Sequence, residues 1–307
     1  RHEAVAACPS QTPGTAALDP SSNVTFEVVR ALLEEVGKLA PDSFFHLGGD
    51  EVRFACWNES SRVKAFMRQR GFGCCEDANF AKLEQDYENR LLQIAAEVLP
   101  GRTIMLYQEV YDNNVKWRCF LDLRAVRLAN PKRASPLQVT LPAKVAFDVW
   151  KAGGDISGGH DTASVPAEVA HIVKGGHQAI LANGNDRNWY LNDGYGNGEL
   201  VLWNAVYALD PLNGTAEFGL TPAQEKLVIG GEASLWGEEI DASNLQQRAW
   251  PRGSAFAERM WSPRAVKSVK LAAPRLARQV CKMKARGLGA SPIGPGSCLA
   301  TQSTYIE

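Results

Sequence analysis

"SFFHLGGDEVRFACW", residues 43–57, sets a β-rich apolar run directly before two glycines, two acids and, six residues after Glu51, a tryptophan. The run from Phe44 to Leu47 reads as a short buried strand, because it is apolar, aromatic and ends at a turn signal. Gly48 and Gly49 mark a turn too tight for most side chains. The chain thus delivers Asp50 and Glu51 to the mouth of a strand. Neighbouring carboxylates repel each other, so the placement calls for a use that offsets the repulsion.

Outward from this stretch, helical and extended patterns alternate. "TFEVVRALLEEVGKLAP" (25–41) has apolar residues at helical spacing and Pro41 as its stop. Helices are expected around 60–70 and 79–98, then strands at "TIMLY" (103–107) and "VAFDVW" (145–150). The helix "AEVAHIVKGG" and the strand "QAILA" follow. "LVIGGEASLW" (227–236) reads as a strand leading to Trp236, "RAWPRGSAFAERMW" (248–261) as a helix, and 264–286 as a basic amphipathic helix packed on the surface. Such alternation argues for parallel βαβ units. Segment 116–141, "KWRCFLDLRAVRLANPKRASPLQVTL", interrupts one short connection without clean periodicity. It reads as an insertion, a lid, or sequence the folded protein does not need.

Parallel α/β folds place their chemistry at the carboxyl ends of strands. Asp50 and Glu51, Tyr107 and Glu109, Trp150, Trp189 and Tyr190, and Trp236 and Glu238 all fall there. Aromatic faces stack on the apolar face of a pyranose while carboxylates take its hydroxyls, so the set describes a sugar pocket.

Composition narrows the class. A net charge of -1 with no basic run gives no sign of nucleic acid or an anionic membrane as partner. No apolar stretch approaches the roughly 20 residues that span a bilayer. No spacing of the seven cysteines suggests zinc, and no metal or other cofactor is implied. Sequons at Asn23, Asn58 and Asn213, taken with the cysteines, favour the secretory route over buried thiols in a cytosolic protein. The start, "RHEAVAACPSQTPG", lacks a signal-peptide core and an initiator Met, and reads as cut, processed or incomplete.

Three readings of "GGDE" compete. One is a tight turn before a solvated acidic loop. A second is the diguanylate-cyclase type of nucleotide cyclase, whose similar signature lies on a hairpin in a cytosolic domain; the expected helix and the sequons speak against it. The third is glycoside hydrolysis. Most glycosidases set two carboxylates roughly 5 Å or 6.5–9.5 Å apart across the scissile bond, which sequence neighbours cannot easily do. An adjacent pair makes sense where one acid protonates the leaving oxygen and the other manages a nucleophile that belongs to the substrate. The 2-acetamido group of an N-acetylhexosamine is such a nucleophile.

"HLGGDEV" resembles the signature of family 20 glycoside hydrolases, the β-N-acetylhexosaminidases. The resemblance continues in order through "RFACW", "RQRGFG", "QEVYDN", "WYLN", "VIGGEASLWGE" and "RAWPRGSAFAERMWS", and is nearest the eukaryotic lysosomal subunits. It implies Glu51 as general acid/base, with a pKa raised by a nearby anion and a poorly solvated pocket. It implies Asp50 as the group that orients the acetamide and stabilises the oxazolinium-like intermediate. Tyr190 would hydrogen-bond the acetamido carbonyl, Trp150 and Trp236 would wall the sugar, and Glu238 would take distant hydroxyls. Tyr107 stands where the family carries an aromatic-box tryptophan.

Asn192 and Asp193 match positions that tune tolerance for anionic substrates; with no Arg there, neutral GlcNAc or GalNAc should be preferred over 6-sulfated sugars. Trp57, Trp189 and Trp261 are expected to be structural, and His46 a hydrogen-bonded core histidine. Cys8–Cys56 and Cys281–Cys298 match family disulfides and Asn23 a family glycosylation site, while Cys74, Cys75 and Cys119 match no family partner. The implied fold is a (β/α)8 TIM barrel of which this chain supplies about strands four to eight. The earlier strands, a substrate-binding arginine, a supporting Asp/His pair and an N-terminal α/β domain are expected elsewhere. A helix and a disulfide-clipped tail are expected over residues 264–307, and the chain is read as a fragment or one chain of a processed protein. The family also implies exo-hydrolysis of terminal glycans, a lysosomal, vacuolar or secreted destination, and a possible homo- or heterodimer. A non-catalytic sugar-binding or partner subunit, or an inactive fragment, is the competing reading.

Overall fold

The structure, a computed structural model, describes residues 4–6, 8, 17–73, 77–112, 145–151, 164–182, 189–192, 201–294 and 298. The segment 116–141, Asp193, Cys74, Cys75 and Cys119 lie outside them. The chain divides into two compact units, residues 1–148 with 153–162, and residues 149–152 with 163–307.

In the first unit, α1 (Asn23–Leu39) carries Phe26 and Leu33 on its buried face, as the apolar spacing predicts, and lies against α4 (Asp77–Val98). Arg102 closes the end of α1, donating to the carbonyls of Gly37 at 2.6 Å and Ala40 at 2.7 Å. The strands β1 (Phe44–His46), β2 (Thr103–Tyr107) and β3 (Val145–Val149) run parallel, with His46 opposite Met105 and Tyr107 opposite Asp148. Two short helices follow the acidic pair: α2 (Phe54–Glu59) and α3 (Ser61–Gln69), the second capped by the Ser60 hydroxyl. Another, α5 (Gln108–Tyr111), follows β2. Phe54, Trp57, Met67, Phe80 and Leu83 form a core beside α4, and the Trp57 indole donates to Leu18 O at 2.9 Å. Trp57 is structural, as expected.

The second unit opens on α6 (Val165–Lys174), started by the Ser164 hydroxyl and a proline in its first turn. Its face of Val165, Val169, Ile172 and Val173 is buried. The strand β4 (Gln178–Leu181) pairs in parallel with β5 (Val228–Gly231) through an irregularity between Ala179 and Ile180. The expected strand 227–236 stops at Gly231; beyond it Glu232 N–H donates to Leu181 O at 2.9 Å and Ser234 forms an isolated parallel bridge to Tyr190.

Between β4 and β5 lie α7 (Trp203–Ala208) and α8 (Pro222–Glu225). The single helix expected over 248–261 is two, α9 (Leu245–Ala249) and α10 (Arg252–Trp261). Trp250 between them is extended, because a residue before proline is driven out of the helical region and Pro251 has no N–H to give. The last helix, α11 (Val269–Ala285), buries Ala272, Leu276, Val280 and Met283 at three- and four-residue spacing. Trp261 corrects an expectation: it is 91% exposed and packs no core.

Both disulfides are present, Cys8–Cys56 with Cα atoms 5.0 Å apart and Cys281–Cys298 with 5.6 Å. Cys56 lies fully buried in the core beside α4, so the first bridge ties the opening segment to it. Replacing Cys8 and Cys56 together by serine should cost about 2–4 kcal/mol of unfolding free energy, from the freedom returned to the unfolded chain. Denaturant melts of the two forms measure it.

Candidate active site

The first unit presents the acidic pair on a backbone that only glycine permits. Gly48 and Gly49 sit at φ +80° and +102°, in the left-handed region. A Cβ on Gly49 would stand 2.4 Å from Val110 Cγ2 of α5, closer than atoms pack, and 3.7 Å from Glu88 Oε1 of α4. Glu51 follows at φ +46°; it and Cys298 are the two non-glycine residues with positive φ among those described. Such a backbone costs on the order of 1 kcal/mol and persists where its surroundings hold it. Here Tyr107 N–H donates to Gly48 O at 2.9 Å, and Gly48 N–H donates to His46 Nδ1 at 2.9 Å. His46 is thus hydrogen-bonded, as expected, though half-buried rather than in a core.

Asp50 and Glu51 are both exposed. The poorly solvated surroundings expected for Glu51 are not found, because the turn carries the pair past the end of β1 and no described residue covers it. Burial gathers instead behind the pair. Glu88, 2% exposed, is pushed by desolvation from its ordinary 4.5 up to about 8, and its Oε2 has no hydrogen-bond partner among the described residues. Burial, and secondarily the Glu88 charge, raises the neighbouring Tyr87 hydroxyl as well. Tyr107 is half-buried, its ring 4.5 Å from the His46 ring, while Glu109 is buried.

The second unit brings Tyr190, Asn192 and Trp236 together. Tyr190, 8% exposed, bridges to Ser234; Leu191 N–H donates to Ser234 O at 2.7 Å and Ser234 N–H to Trp189 O at 3.0 Å. Asn192 is buried, and its Oδ1 accepts from Trp236 N–H at 3.4 Å, so it supports the Trp236 backbone. Trp236 itself is 44% exposed, and Glu238 beyond it is exposed.

Trp189 is fully buried, as a structural residue should be, with its indole donating to Val206 O at 3.1 Å. Gly231 makes room for it, since a Cβ there would meet Trp189 Cζ3 at 2.3 Å. The buried Arg252 guanidinium gathers the carbonyls of Leu191, Val201 and Arg248. Trp150 is half-buried at the end of β3, with Lys151 Nζ 4.6 Å from its ring centre. Asn23, Asn58 and Asn213 are all exposed.

Among the described residues no group of three or more His, Cys, Asp and Glu side chains is placed to hold a metal ion. No described helix is long and apolar enough to cross a membrane. Sequence reasoning passed over Glu88, and also Asp148, the one charged residue inside "VAFDVW". Its position in an apolar strand was the available signal.

Below about pH 8 Glu88 is protonated in the folded chain, whereas the unfolded chain releases that proton near its ordinary 4.5. The folded state then binds more protons, so stability is fully present below about 4.5 and is lost as pH rises to about 8. In Glu88→Gln this slope should flatten by up to roughly 1.4 kcal/mol per pH unit. Chemical denaturation of both forms across pH 5 to 9 checks it.

The model "Glycosyl hydrolase family 20, catalytic domain" matches residues 3–264. The chain is 34% identical to the human β-hexosaminidase subunit beta over 282 residues, which is 92% of this chain and 41% of that protein. It is 34% identical to the bovine β-hexosaminidase subunit alpha over 291 residues, 94% of this chain and 45% of that protein. The chain therefore spans less than half the length of these relatives.

Among solved structures, a Flavobacterium johnsoniae chitobiase superposes with a TM-score of 0.62 at 21% identity, covering 91% of this chain and 35% of that one. The family 20 β-N-acetylhexosaminidase of Streptomyces coelicolor gives 0.59 at 23% identity, covering 92% and 46%. These likenesses show a shared α/β fold.

Proposed function

This chain belongs to glycosyl hydrolase family 20, and from that premise we propose that it is catalytic-domain sequence of an exo-acting β-N-acetylhexosaminidase. On this reading β1 to β5 correspond to the fourth to eighth strands of a (β/α)8 barrel. The substrates are glycans ending in GlcNAc or GalNAc at the non-reducing end. The observation that carries the reading is the adjacent pair Asp50–Glu51 on a glycine-held turn at the carboxyl end of a parallel strand, within the family match.

The chemistry follows from adjacency. The carbonyl oxygen of the substrate's 2-acetamide attacks C1 while the glycosidic bond breaks, and its electron pair leaves on the departing oxygen. Glu51 gives that oxygen its proton. Asp50, ionised, orients the acetamide N–H and balances the positive charge on the oxazolinium, and Tyr190 holds the acetamido oxygen. Water then attacks C1, the Glu51 carboxylate takes the water's proton, and the ring reopens with configuration retained. Trp150 and Trp236 supply apolar walls, Tyr107 a more polar one, and Glu238 receives hydroxyls. Asn192 acts through the backbone of Trp236.

Exposed sequons at Asn23, Asn58 and Asn213 and two disulfides support passage through an oxidising secretory compartment, ending in a lysosome, a vacuole or outside the cell. The relatives are named as subunits, and pairing with a second copy or a related chain belongs to the same proposal.

With a chromogenic β-GlcNAc substrate and the enzyme containing this chain, Glu51→Gln should lower kcat on the order of 10²–10⁴-fold. Asp50→Asn should lose most turnover, and a thiazoline mimic of the cyclic intermediate should inhibit. Equal rates on a glycoside lacking the 2-acetamide would sink this mechanism. Sugar binding without turnover by the intact wild type would mark a non-catalytic subunit instead. The same enzyme is expected to cleave the neutral sugar faster than its 6-sulfated analogue, which a side-by-side assay decides.

A further inference from the structure

His46 accepts a hydrogen bond from the acidic turn and faces a carboxylate that has no hydrogen-bond partner among the described residues. Asp148, on β3, is fully buried, and neither of its oxygens has a hydrogen-bond partner among the described residues. Its Oδ2 lies 3.5 Å from His46 Nε2, within ion-pair distance and long for a hydrogen bond. Nε2 is likewise buried and has no hydrogen bond, while Nδ1 on the other side of the ring accepts the Gly48 N–H at 2.9 Å. A neutral imidazole bears one hydrogen, and a nitrogen that accepts cannot carry it. The hydrogen is therefore on Nε2, pointing at Asp148.

Two unsatisfied buried groups facing each other cost free energy unless they serve one another. The registers of the parallel strands bring the pair together. His46 lies opposite Met105 on β2, Tyr107 two residues on lies opposite Asp148, and the His46 and Tyr107 rings touch at 4.5 Å. Gly48 is then held from both sides, its carbonyl by Tyr107 N–H and its N–H by His46.

We propose that His46 and Asp148 are a positioning pair for the acidic turn. Asp148 anchors the hydrogen on Nε2, which keeps Nδ1 bare, and bare Nδ1 fixes Gly48 and so the backbone that presents Asp50 and Glu51. What the turn is used for rests on the hexosaminidase reading; how it is held does not.

The test is imidazole ¹⁵N spectroscopy at pH 8 of the labelled enzyme that contains this chain, with amide exchange read at Gly48. Wild-type His46 should show a protonated Nε2 and a bare Nδ1. Asp148→Leu should mix the tautomers and speed Gly48 exchange about tenfold, the net worth of one hydrogen bond. Asp148→Asn, whose amide oxygen still accepts, should keep the wild-type pattern.

A protonated Nδ1 in the wild-type chain overturns the proposal, and that measurement holds even if Asp148→Leu does not fold. An unchanged spectrum in a folded Asp148→Leu overturns it as well. In the active enzyme, Asp148→Leu should lower kcat about tenfold with KM little changed; unaltered kcat removes the positioning role. Absence of turnover in the wild type with the tautomer as stated strikes the hexosaminidase reading and leaves the pairing intact.

Discussion

Steric exclusion at Gly49 governs how the acids are presented. The backbone there runs against Val110 so closely that a single added carbon would overlap it, and both glycines adopt a conformation that L side chains resist. Because β2 and α5 lie directly behind, the chain has one direction in which to leave β1, outward past the strand ends. Two carboxylates that repel each other are thus presented together by a backbone that cannot relax away. The repulsion is tolerated because both side chains reach solvent while the buried acid behind them, Glu88, is kept uncharged.

Tyr190 and Trp236 are presented by a different device. A lone parallel bridge and the Asn192 side chain tie residues 190–192 to residues 234–236 without a continuous strand, and the Arg252 guanidinium joins Leu191 to Val201 and Arg248. Backbone that leaves a sheet needs other partners for its polar groups, and a buried arginine with several donors serves three carbonyls at once. The expected strand to Trp236 is shorter for this reason: hydrogen bonding is retained, but as point contacts.

Much of the fold was legible because the relevant signals are local. The strand 103–107 falls where "TIMLY" places it, and α1 follows its apolar spacing. The errors have local causes as well. "RAWPRGSAFAERMW" has helical periodicity throughout, yet Pro251 divides it, and the proline rule was visible in the same letters. The exposure of Trp261 and the burial of Asn192 depend on tertiary neighbours, which spacing alone does not give. For the site, the motif order placed Asp50, Glu51, Tyr190 and Trp236 at strand ends or just beyond them. The tie between His46 and Asp148 joins positions 102 residues apart, counted from 46 to 148, and depends on the register of three strands.

Gly231 and Trp189 behave as one object divided between two places in the chain. The glycine's missing carbon is the space in which the indole edge lies, so neither position has freedom of its own. A library that varied residue 231 would score it as immutable whatever stood at 189, because an alanine Cβ there would also lie 2.8 Å from the backbone oxygen of Leu181. Trimming the indole alone frees no side chain at 231, since the backbone of β4 closes the other side of the glycine.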